Sequence, residues 1–210
     1  MATRTYTNAP HGFGVTYDDA RLTCVADSGD PRLAAAWSSR IGNHVAAAVL
    51  FAVPGTTADE IAAGTALAVL ITTDAAASGP HLLGGWDWDA VTQREAPRFL
   101  ATTGAACVDV AHVYWRGFPV LQLVARPNPE APAPRLVEEL GLLFTPEQTF
   151  SALVVWPTDD PDAWVPTAQE VMDGFFLMPL EREGRARTGH QHVRQLRITP
   201  ADERDGAAVG

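Results

Sequence analysis

The chain has 210 residues, enough for one domain with tails and a core that removes roughly 70 % of the unfolded surface from water. Its 47 % hydrophobic and 19 % charged residues exclude wholesale disorder. The net charge of −10 sits in the body, where residues 1–180 carry nine arginines against twenty acids, while 181–210 carry six against five and no lysine occurs anywhere; an acidic body repels phosphate backbones and anionic lipid, so no nucleic-acid partner is expected.

The opening residues, MATRTYTNAPHGFGV, lack the charged start, apolar run and cleavage site of a secretory signal. Cys24 and Cys107 are therefore expected as reduced thiols in a cytoplasmic protein. The longest apolar stretches, AAAVLFAV and ALAVLI, fall far short of the roughly 18 to 20 residues that span a bilayer, and no membrane insertion is expected.

Along the chain, residues 1–10 read as an N-terminal extension, 11–180 as a single α/β domain and 181–210 as a C-terminal arm. HGFGVTYD alternates with period two and reads as a strand, which RLTCVAD can pair with across Asp18 to Ala20. RLAAAWSSRIG is ambiguous between helix and strand. NHVAAAVLFAVPG is a nearly continuous apolar run closed by Pro54 and Gly55, the mark of a strand near the middle of a sheet. Thr57 and Glu60 form a capping box, and a helix from about 58 would place Ala63, Ala66, Leu67 and Leu70 on one face, though Val69 to Thr73 could equally be strand.

DAAASGPHLLGGWDWDAVTQREAPR, punctuated by Gly79, Pro80, Gly84, Gly85 and Pro97, is the most loop-like region. CVDVAHVYWRGFPVLQLVAR is a hairpin turning at Arg116 and Gly117, and PNPEAPAP a surface loop. RLVEELGLLFTPEQTFSALVVWP gives two strands, or a short helix and a strand, with TFSALVVW in the core and a turn over 145–148. In DDPDAWVPTAQEVMDGFF, an unbroken helix would carry Pro166 at a cost of about 3 kcal/mol. A single turn over 161–164, capped by Asp160 and bent into a helix restarting at Pro166, avoids most of that cost. Val165, Ala168, Met172 and Phe175 then form a stripe that must lie on a sheet.

The hairpin VDVAHVYWRGFPVLQLVAR, the strand TFSALVVWP and the bent helix DDPDAWVPTAQEVMDGFF, entered through HGFGVTYD, together resemble the Mog1/PsbP-like superfamily, whose bacterial members include DUF1795 and actinobacterial LpqN-type proteins. The resemblance spans roughly residues 11–178 and rests on pattern. It implies an α+β fold, an antiparallel sheet sandwiched by helices, and non-catalytic work as a binding or adaptor protein, such as loading effectors into secretion machines. It transfers no catalytic residue and no cofactor.

The residues themselves agree with a non-enzymatic reading. A nucleophile needs a strained turn beside a base, and no G-x-S-x-G occurs. Strand alternation sets Cys107 and Asp109 on one face and His112 on the other, which disfavours a triad. His190 and His192 are the only histidine pair at ligand spacing and lack further ligands, so no metal is expected.

Two binding candidates remain. In GGWDWDAV, a strand would send Trp86 and Trp88 one way and Asp87 and Asp89 the other. The tryptophans either cap the core under a loop, as tryptophan's usual burial favours, or form an aromatic binding face. A pocket of Trp86, Trp88, Tyr114 and Trp115 for a small molecule is the alternative function, as is a structural subunit of a larger assembly. RARTGHQHVRQLR, with Arg185, Arg187, Arg194 and Arg197 and no acid, reads either as a solvated terminus or, given Val193, Leu196 and Ile198, as an arm that docks on an acidic surface of its own body, a second copy or a protein partner.

Overall fold

The computed structural model describes residues 2–27, 29–37, 45–74, 88–115, 118–130, 136–144, 149–157 and 159–178. The strands among them form two antiparallel sheets. The small one runs β1 (Thr3–Asn8), β2 (Phe13–Asp18), β10 (Phe175–Leu177). The large one comprises β3 (Thr23–Val25), β4 (Val45–Ala52), β5 (Ala68–Asp74), β6 (Cys107–Trp115), β7 (Phe118–Arg126), β8 (Leu136–Phe144) and β9 (Thr149–Trp156), in the order β3-β4-β5-β9-β8-β7-β6. The α-helices are α1 (Pro31–Trp37), α2 (Ala58–Ala63), α3 (Trp88–Thr103) and α4 (Val165–Gly174).

Alternation along the large sheet divides its side chains between two cores. On the front, Val49, Phe51, Val69, Ile71, Phe150, Ala152 and Val154 meet Phe13, Val15 and Phe175 of the small sheet and Ala168, Val171 and Met172 of α4. On the back, Leu50, Leu70, Leu121, Leu123, Leu153 and Val155 meet Leu33 of α1, Ile61 of α2 and Phe99 of α3. Each large apolar side chain so buried contributes roughly 1.5–3 kcal/mol.

The local chemistry of several elements follows the sequence. Both arms of the capping box form: the Glu60 N–H donates to Thr57 Oγ1 at 3.3 Å and the Thr57 N–H to Glu60 Oε2 at 2.8 Å. The stretch from Asp160 bends as expected, with a 3-10 turn over Pro161–Trp164 capped by the Asp160 carboxylate, then α4 with Pro166 in its first turn, where its missing N–H is not needed. β9 lies between β5 and β8, and β4 between β3 and β5.

Other expectations are corrected. α2 stops at Gly64, which adopts the left-handed conformation (φ 69°) that releases the chain, so Leu67 and Leu70 belong to the strand side rather than a helical face. β3 pairs with β4, while β2 is flanked by β1 and β10, so RLTCVAD does not fold back on HGFGVTYD. The segment from Trp88 is a sixteen-residue helix, not a loop. Pro97 lies inside it on an exposed position, and burial of Phe99 on the back core holds that helix in place. Val165 is 47 % exposed and Phe175 is the first residue of β10; the buried stripe of α4 is Thr167, Ala168, Val171 and Met172. The ambiguous RLAAAW is the helix α1, and β1 lies within residues 1–10.

Candidate binding surface

The small sheet and α4 cover the front of the large sheet over β4, β5 and β9, with Leu136 and Leu140 of β8 packed at the margin of that core and Val120 of β7 buried on the same face; among the described residues no side chain of β6 or β7 belongs to that core. Register fixes what the β6–β8 half presents. One row across it reads Asp109, Val124, Glu138, Val154, and the next reads Ala111, Gln122, Leu140, Ala152. Ala111 is exposed, and Gln122, Val124, Glu138 and Leu140 are half-buried.

Glu138 is fixed from both sides. Gln122 Nε2 donates to its Oε1 at 2.6 Å and the Trp156 indole Nε1 donates to its Oε2 at 3.0 Å. Both contacts run diagonally between neighbouring strands, because the residues directly opposite are Gln122–Leu140 and Leu136–Trp156. The donors are neutral, and among the described residues no cation lies against Glu138. Glu138 is thus a carboxylate held by two neutral donors, whose remaining lone pairs can accept from a cation or an N–H. At the strand edge Asp109 is different: Arg126 Nε lies 2.7 Å from its Oδ2, and the pair is exposed.

The residues weighed for catalysis are not brought together. Cys107 and Asp109 lie on the front of β6, while His112 lies on the back, where its Nε2 is 3.2 Å from Thr92 Oγ1 of α3. Cys24 and Cys107 are free thiols at opposite edges of the large sheet, on β3 and β6. Burial pushes the Cys24 thiol up to about 11, opposed in part by its hydrogen bond with Tyr17. Among the described residues no group of three or more His, Cys, Asp or Glu could hold a metal ion.

Of the aromatic pair, Trp88 opens α3, so the strand that would have aligned it with Trp86 does not form there; Trp86 lies outside the described residues. Tyr114 and Trp115 are consecutive positions of β6. Arg185, Arg187, Arg194 and Arg197 lie outside the described residues.

Glu138 was missed by reasoning from sequence, although a signal existed. In RLVEELGLL, period-two alternation puts a carboxylate on the same face as Leu136 and Leu140, which calls for a polar partner. Its partners are distant in sequence and could not be named.

No family model matches the sequence, and no curated protein matches it. The fold is similar to the solution structure of cyanobacterial PsbP (CyanoP) from Synechocystis sp. PCC 6803, with a TM-score of 0.51 at 14 % identity, over 83 % of this chain and 92 % of that one. At that identity the likeness is one of fold. The chain has the mixed α/β, antiparallel Mog1/PsbP fold that the pattern of its hairpin, strand and bent helix implied. Among the described residues no helix is long and apolar enough to cross a membrane.

Proposed function

We infer that this chain is a non-catalytic binding protein whose recognition surface is the β6–β8 half of the front sheet. The observation that carries the reading is Glu138: a carboxylate clamped by two neutral donors beside Val124 and Leu140, with no cation against it among the described residues. Such a surface suits a polypeptide segment that lays apolar side chains on the sheet and presents an arginine, a lysine or a backbone N–H to Glu138. The apolar contacts supply area, and the single charge supplies register.

The arm of residues 185–197 is the second recognition element, its four arginines meeting an acidic surface of the partner. An accessory role of the adaptor type, in secretion or assembly within the cytoplasm, accords with such a surface and with free thiols set too far apart to pair.

Affinity capture from the source organism's lysate tests this, with the wild-type chain, Glu138→Arg and a chain ending at residue 180 run side by side at low salt. A discrete protein held by the wild type and lost by Glu138→Arg is the expected result, with loss on truncation assigning a share to the arm. Equal retention by wild type and Glu138→Arg, with both folded, would remove the sheet face from recognition.

A further inference from the structure

β6 is an end strand of the large sheet, paired with β7 on one side and, among the described residues, with nothing on the other. Such an edge offers a row of backbone N–H and C=O groups to any strand that can reach it. Proteins ordinarily block long edges with lysine, proline, bulges or very short strands. Two of the other end strands, β3 and β10, are only three residues long.

β6 has none of these devices. Its register with β7 is unbroken from Cys107–Arg126 to Trp115–Phe118, and the strand contains no proline and no basic side chain other than His112. Its one acid, Asp109, is neutralised within the chain by Arg126. Cys107, Asp109, Val110, Ala111 and His112 are all exposed, Val110 at 39 %. Leu100, on the helix α3 that packs against β6, is 38 % exposed, so two of the large apolar side chains left in water belong to the elements that build this edge.

We propose that β6 pairs with β6 of a second copy of this chain, antiparallel about a two-fold axis near Val110, joining two seven-stranded sheets into one. An antiparallel strand is its own complement under a two-fold, so both copies use the same surface and the assembly closes at two. The strand's side chains favour an axis at Val110. An axis through Asp109 would set two carboxylates directly opposite, about 5 Å apart. An axis through Val110 sets Asp109 opposite Ala111 and Val108 opposite His112, and brings the two exposed valines together. The two acidic chains, each of net charge −10, oppose the approach, so the dimer tightens as salt screens them.

Sedimentation velocity on the full chain over a wide concentration range, at low and high salt, reads this directly. The expected result is a monomer–dimer equilibrium that shifts to dimer with salt, and that Val110→Lys and, separately, Ala111→Lys each abolish while leaving the circular dichroism spectrum unchanged. Hydrogen exchange on the wild type is the second readout: the amides of 108–112 should gain protection as concentration rises. A monomer at every concentration and salt, a dimer that survives both lysines in a folded chain, or exchange in β6 independent of concentration would each overturn the proposal.

Discussion

The indole of Trp156 donates across a strand boundary to Glu138, at 3.0 Å, and so holds a carboxylate at the margin of the front core, between Leu136 and Leu140 that pack against it. A hydrogen bond to a charged acceptor contributes about 1.5–3 kcal/mol. Trp156→Phe is expected to destabilise the chain by about 2 kcal/mol in urea denaturation, and by clearly less in a Glu138→Leu background. The same cost in both backgrounds would mean that the geometry carries no coupling.

The small sheet is held to the large one by rings. Phe13, Phe150 and Phe175 are all buried, with centroids 5.8 Å apart for Phe13–Phe150 and 5.7 Å for Phe150–Phe175. Phe175→Ala is expected to cost about 3–5 kcal/mol and to lower the thermal midpoint accordingly. An effect under about 1 kcal/mol would show that β10 is not part of the cooperative unit.

Gly174 ends α4 where the chain passes against β2, and a Cβ there would run into the Thr16 carbonyl. Because the obstacle is backbone and cannot swing away, Gly174→Ala is expected to cost roughly 3 kcal/mol or more. Gly55, left-handed at φ 87° with open space around it, is the comparison, with Ala costing about 1 kcal/mol. Denaturation midpoints of the two variants should differ in that order.

The two thiols should behave oppositely. Exposed Cys107 is expected to react with maleimide rapidly and Cys24 slowly in the native chain, read by mass spectrometry of peptides. The folded chain keeps Cys24 protonated to about 11, above the 9.0 of an open thiol, so folding holds the proton more tightly than the unfolded chain does. The stability this represents is intact below about pH 9 and is lost as pH rises toward 11. Burial raises Tyr6 and Tyr17 in the same direction, so Cys24→Ala should lessen the alkaline loss without removing it.

Much of this fold was legible because it is local. The capping box of Thr57 and Glu60, the β6–β7 hairpin and the bend before Pro166 are each decided within a few residues, and each formed. The misreadings share the opposite cause. α3 hid behind Pro97 because propensity argues against a helix there, while burial of Phe99 in the back core outweighs it. Phe175–Leu177 continue a helical pattern in the sequence, and only pairing with β2 turns them into the strand β10. Glu138 meets Gln122 sixteen residues away and Trp156 eighteen residues away, so its clamp exists only once β7, β8 and β9 are in register. Trp88 begins α3, a helix start that period-two alternation in the sequence does not reveal.

The surface itself is tested most directly by site-specific photocross-linking in cells of the source organism. A benzophenone side chain is placed at Val124, half-buried on the front of β7, and in a second chain at Ala34, an exposed position of α1 on the opposite side. A discrete protein adduct from position 124 that is missing from position 34, and lost when Glu138→Arg is added, is the result expected of a recognition face centred on Glu138. No adduct from position 124, or the same adducts from both positions, would contradict it.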